Sequence, residues 1–172
     1  MAYRLLYPFR TYLVVSGRYG EEMNVMTADW VTPVSAKPFM VAVAVAPTRY
    51  TYKLLEKYGE YVISVPSLEN LRDVWIVGSE HGPEKLKKTK FEFTPASKVG
   101  TPIIRNALAN LECRVYDKRT YGDHVLYVGE VLAYHYNEDA YVNYEPRLEA
   151  GFIAHIAMNK FTTFSREVIT VQ

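Results

Sequence analysis

The sequence predicts a mainly β protein, an antiparallel barrel with a few short helices. Three observations carry this. Six or seven strand-like runs have few helical stretches between them, which favours an antiparallel barrel over a parallel sheet. Ala109–Arg119 and His124–Tyr136 flank the tip Thr120-Tyr121-Gly122-Asp123 as an extended hairpin, which no all-parallel sheet can contain. Phe39–Ala46 is continuously apolar, the pattern of a strand buried on both faces.

The elements follow in order. Tyr12–Ser16 is a short β-rich run, and Arg18–Glu22 turns the chain around Gly17 and Gly20. Asn24–Val31 reads as the second strand, being rich in β-branched and aromatic residues, and Pro33–Pro38 as its connection to Phe39–Ala46. Thr48–Tyr58 reads as a helix: Leu54, Leu55 and Tyr58 make one stripe, Lys53, Glu56 and Lys57 face solvent, and Gly59 stops it. Glu60–Val65 returns as a strand. Ser67 opens a second short helix through Leu71, Val74 and Trp75, ended by Gly78, and Pro83 suits the first turn of a third, charged helix. Phe91–Pro102 is loop-like. Gly129 interrupts the last long run, which predicts a bulge or a close backbone approach. Asn137–Asp139 is a turn, and the patchier Tyr141–Gln172 includes Phe152–Met158 as loop or strand.

The 172 residues fit a single domain spanning 1–172, and 49% of them are apolar, enough for a core. A net charge of +1 with scattered basic residues argues against nucleic acid as a partner. The only cysteine, Cys113, excludes an intrachain disulfide and sits in an apolar strand pattern, as a core residue would. No secretion signal and no membrane-length apolar run is present, so a cytoplasmic location is expected. The charged stretches Glu80–Lys90 and Asp117–Asp123 read as a solvated helix or loop and as a hairpin tip.

The chemistry concentrates between Asn24 and Thr51. Two apolar runs end at Pro47, and Thr48, Arg49 and Thr51 then open a helix, putting two hydroxyls, a guanidinium and free amides at one spot. Such a start attracts a phosphate, and no Asp or Glu lies between Asp29 and Glu56 to repel it. The ordinary alternative is an N-capped helix with a surface arginine. The neighbouring run offers Met26, Thr27, Ala28 and Trp30, along which a flat heteroaromatic ring can lie and bond to the backbone. No G-x-G-x-x-G or P-loop occurs, and His81, His124, His135 and His155 lack zinc-like spacing.

Three blocks, NVMTADWVTPVS, KPFMVAVAV and PTRYT, followed by GDHVLYVGEV (Gly122–Val131) with Leu111-Glu112-Cys113 before it, resemble the flavin reductase-like family of FMN-binding split-barrel proteins. The likeness runs from about Pro8 to Val131 and more weakly to Met158. It implies a Greek-key split β-barrel, a homodimer, and FMN near the subunit interface. It also implies flavin contacts at Asn24, Met26, Thr27, Ala28 and Trp30, and ribityl and phosphate contacts at Thr32, Ser35, Thr48, Arg49 and Thr51. His124 falls where family members approach the flavin or the nicotinamide. Asp29 departs from the pattern, since relatives often carry a small hydroxyl residue there. Either its carboxylate points away from the ring or the redox poise shifts.

The implied activity is hydride transfer from NADH or NADPH to FMN, with electrons passed to a small-molecule or protein acceptor. Lys37 and His124 are the candidate cations for charge gathering on the ring. Three rivals stay open: an electron-transfer flavoprotein with little nicotinamide turnover, an oxidase on the related pyridoxamine-phosphate oxidase barrel, and a non-enzymatic β-barrel interaction module. Neither the nicotinamide preference nor the acceptor is legible.

Overall fold

Seven strands make one antiparallel sheet. In chain order they are β1 (Tyr12–Gly17), β2 (Met23–Ala28), β3 (Val31–Ala36), β4 (Phe39–Val45), β5 (Glu60–Val65), β6 (Ala109–Tyr121) and β7 (His124–Tyr136). Their spatial order is β2-β1-β5-β6-β7-β4-β3. The computed structural model describes residues 1–171; Gln172, the end of the patchy C-terminal segment, lies outside them.

The two edge strands, β2 and β3, are consecutive in the chain, joined only by Asp29 and Trp30. Two residues span at most ~7 Å, so the sheet must curl to bring its two edge strands together at that junction. The apolar residues of that curl face inward: Val14, Met26, Val43, Tyr61, Cys113 and Tyr127 form one cluster. Because side chains alternate along a strand, Leu13 and Val15 of β1 point the other way. There they pack with Val25, Val62 and the Val74 and Val77 of helix α2 (Leu71–Ser79). A second small sheet joins Phe9–Arg10 to β8 (Ile153–Ala157) and β9 (Lys160–Thr163).

The strand expected over Asn24–Val31 stops at Ala28 and resumes, in a new direction, at Val31. The expected connection Pro33–Pro38 is mostly strand β3, and the reversal is confined to Lys37-Pro38. Pro33 is tolerated there because β3 is an edge strand with a register shift between Pro33 and Ser35. Helix α1 spans Tyr50–Tyr58, two residues shorter at its start than expected; Arg49, with extended backbone, is its N-cap, and Thr48 belongs to the preceding turn. Gly59 ends it in the left-handed conformation, φ 63°.

Helix α2 runs past Gly78 instead of ending there. A Cβ at Gly78 would sit 3.1 Å from that of Thr27, so this glycine serves close helix-to-strand packing. Ser67 and Asn70 form a capping box ahead of it. Pro83 opens a 3-10 turn, Pro83–Lys88. At Gly129 both expected features coincide: the register shifts between Val128 and Gly129, and a Cβ would lie 2.3 Å from the Tyr61 hydroxyl. No helix among the described residues is long and apolar enough to cross a membrane.

Candidate cofactor cleft

Where β2 turns into β3, the sheet opens into a cleft of about 520 Å³. Its walls are Met26–Trp30 on one side, Ala44–Ala46 with Thr48 and Arg49 on another, and Asp123 and His124 from the β6–β7 tip on a third. Met1, Tyr3 and Tyr7 of the N-terminal segment close it. The position of β2 matters: it pairs only with β1, so one row of its backbone N–H and C=O groups is free of ladder bonds. A planar ring with alternating donors and acceptors along its edge matches such a row.

Aromatic groups define the mouth. The Trp30 ring lies 4.9 Å from His124 and 5.3 Å, edge-on, from Tyr3, centroid to centroid. His124 is oriented by its neighbour, Nδ1 standing 2.7 Å from the Asp123 carboxylate, whose acidity that hydrogen bond increases. Thr27 is less available: its hydroxyl donates to the Val74 carbonyl at 2.5 Å and anchors α2.

Beneath the start of α1 lies a second polar cluster. Buried Asn24 donates through Nδ2 to the Thr51 hydroxyl at 2.9 Å, tying β2 to the helix, while its Oδ1 has no partner among the described residues. The same small pocket is lined by Arg49, Glu80, His81 and Lys85. Lys85 is 4% exposed and donates from Nζ to the carbonyls of Val77 (2.7 Å) and Glu80 (3.1 Å). Burial, with the Arg49 charge adding to it, brings its ammonium down to about 8. Two cations thus converge on the first turn of α1, where the amides of Tyr50 and Thr51 have no helical partner.

Asp29 turns its charge toward the N-terminal segment and β8. Tyr7 and Thr11 donate to its two oxygens at 3.1 Å each, and Nδ1 of His155 lies 2.7 Å away. The other ring nitrogen of His155 is 2.8 Å from the Met158 carbonyl, which can only accept, so Nε2 carries hydrogen. Tyr7 is pushed up to about 12, by burial first and by the Asp29 charge second. The carboxylate is thus engaged by three side chains, while Asp29 and Tyr7 both line the cleft.

The expected site residues divide accordingly. Met26, Thr27, Ala28, Trp30, Thr48, Arg49 and His124 line the cleft, and Asn24 and Thr51 lie beneath it. Thr32 and Ser35 do not reach it, because the run that holds them is edge strand β3 and leads away from Trp30. Lys37 is exposed at the β3–β4 reversal and is also outside the cleft. Sequence reasoning missed Tyr3, Tyr7, Lys85 and His155. Lys85 sits inside a charged run that reads as solvated surface, and nothing local marks it as buried.

The cleft fits FMN on three counts. Its volume lies within the usual range for small-molecule sites. One wall is an unpaired strand edge. The phosphate of FMN would meet Thr48, Arg49 and a helix start, with Lys85 beneath them.

Comparison with known proteins agrees. Residues 3–150 match the flavin reductase like domain. An uncharacterized protein of Pyrococcus abyssi is 58% identical over 96% of this chain and 96% of its own. The FMN-binding protein of Thermus thermophilus, solved with bound p-hydroxybenzaldehyde, superposes with a TM-score of 0.86 at 26% identity, over 96% of this chain and 91% of that one. Flavoredoxin from Methanosarcina acetivorans gives 0.84 at 25% identity, over 96% and 89%.

Proposed function

The chain belongs to the flavin reductase-like domain family, and from that premise we propose that it is an FMN-dependent oxidoreductase drawing hydride from NADH or NADPH. The observation that carries this reading is the meeting, in one cleft, of an unpaired strand edge with Thr48 and Arg49 at a helix start, above the buried Lys85. When bound, the flavin supplies the redox chemistry, accepting hydride and passing electrons to an acceptor.

The chain's own residues do the rest. Arg49, Lys85, the hydroxyl of Thr48 and the first amides of α1 hold the phosphate. The backbone of Met26–Ala28 fixes the edge of the ring, and Trp30 and Tyr3 shield it from water. His124, steadied by Asp123, is the donor available to negative charge on the ring. Asp29 would repel that charge if it were free; its two oxygens are instead taken up by Tyr7, Thr11 and His155. A homodimer is part of the proposal, supported by the exposed Leu5 and Leu6 on the N-terminal turn that closes the cleft.

The test is the visible spectrum of protein loaded with FMN, before and after anaerobic NADH or NADPH. Bleaching of the flavin band within a turnover time supports the oxidoreductase. A tightly bound flavin that neither nicotinamide reduces favours an electron-transfer flavoprotein, a reading to which the likeness to flavoredoxin lends weight. Protein that takes up no flavin contradicts both.

A further inference from the structure

The sheet holds a second cavity, of about 510 Å³, that shares no lining residue with the flavin cleft. Its floor is aliphatic, with Val41, Ile63 and Leu111 reaching into the curl of the sheet, and Tyr134, Tyr136 and Tyr144 stand around it. One cation, Arg10, interrupts this apolar lining. Arg10 is stacked 4.4 Å over the Phe152 ring, with Nη2 donating to Tyr141 at 3.3 Å; its buried Nε has no partner among the described residues. An unmet buried donor costs free energy that a ligand acceptor would recover. His135 borders the cavity as well, but along β7 its side chain faces opposite to Tyr134 and Tyr136, with Nε2 2.7 Å from the carboxylate of Glu112.

Glu112 is fully buried on β6. It accepts from the amides of Ser97 (2.9 Å) and Lys98 (2.6 Å) and from the Ser97 hydroxyl (3.0 Å). Burial raises the carboxyl, but these donors and His135 outweigh burial and hold it below the ordinary carboxylate range. An ionised Glu112 keeps hydrogen on Nε2 and holds the ring on its own side of the sheet. The charge available to a ligand in the cavity is therefore that of Arg10.

We propose that this cavity is a second small-molecule site, selective for a planar aromatic carboxylate whose ring lies among the tyrosines and whose anionic group pairs with Arg10. The apolar walls supply affinity for the ring, and the guanidinium supplies the preference for a carboxylate. The proposal does not depend on flavin binding in the other cleft.

The probe is 2-naphthoate, titrated calorimetrically into the full chain, with neutral 2-naphthamide as control. Naphthoate is expected to bind at least tenfold more tightly than the amide. Arg10→Met should remove that preference. Ala36→Trp, at an exposed lining position where the fold tolerates bulk, should block binding of both probes. Saturating FMN and Arg49→Ala should leave naphthoate affinity unchanged. The proposal is overturned if naphthoate does not bind, if amide and acid bind equally, or if FMN displaces it, since the probe then occupies the flavin cleft. It is also overturned if gel filtration shows a dimer that Ala36→Trp dissociates while naphthoate has no effect, since the cavity is then an interface between copies.

Discussion

The carboxylate of Asp29 lies 2.7 Å from Nδ1 of His155, joining the turn between β2 and β3 to the small sheet at the far end of the sequence. The side chains are 11% and 19% exposed, so the pair is largely sheltered from water. Asp29→Ala would strand His155, Thr11 and Tyr7 at once. It should destabilise the fold by about 2 kcal/mol, the scale of a lost hydrogen bond to a charged group, read as a lower urea midpoint with an unchanged slope. An unaltered midpoint would show that the bond holds nothing together.

The phosphate anchor makes a binding prediction. Arg49→Ala combined with Thr48→Ala should weaken FMN by about 2–4 kcal/mol through loss of charge-assisted hydrogen bonds. Fluorescence titration reads this directly, and undiminished affinity would remove both residues from the site.

Lys85 gives the anchor a pH dependence. Its ammonium sits at about 8 in the fold, against about 10.4 for an unperturbed lysine. The charged form is thus penalised by folding, and this penalty fades as pH rises from 8 toward 10.4. Phosphate needs the charged form, so FMN affinity should fall as pH climbs through about 8, and Lys85→Met should flatten that slope. Equal slopes in the two proteins would mean that Lys85 does not contact the phosphate.

Gly129 provides a packing test away from the cleft. The Tyr61 hydroxyl donates to the Val41 carbonyl at 3.0 Å and passes where a Gly129 Cβ would be. Gly129→Ala should cost about 1–3 kcal/mol by overpacking, seen as a lower melting temperature. A variant as stable as the parent would mean that the β7 bulge absorbs the methyl group.

These residues also show what the sequence could convey. Gly129, the hairpin around it and the doubly buried Phe39–Val45 were legible because period, glycine placement and turn chemistry act locally. The break at Asp29-Trp30 was not, since the apolar pattern runs straight through it and only closure of the sheet imposes the bend. The cleft wall from Met26 to Trp30 and the pair Thr48 and Arg49 were readable as one continuous segment. Lys85 and His155 were not, because each reaches the site through tertiary contacts from segments with ordinary surface composition. Thr32 and Ser35 show the converse: proximity in sequence to the cleft did not survive the turn into β3.

The most direct test is a crystal structure of the protein grown with excess FMN. The account predicts the ring against the Met26–Trp30 backbone beside His124, with the phosphate at the start of α1 between Arg49 and Lys85. A cleft filled by the protein's own side chains, or flavin seated only in the tyrosine-lined cavity, would contradict it.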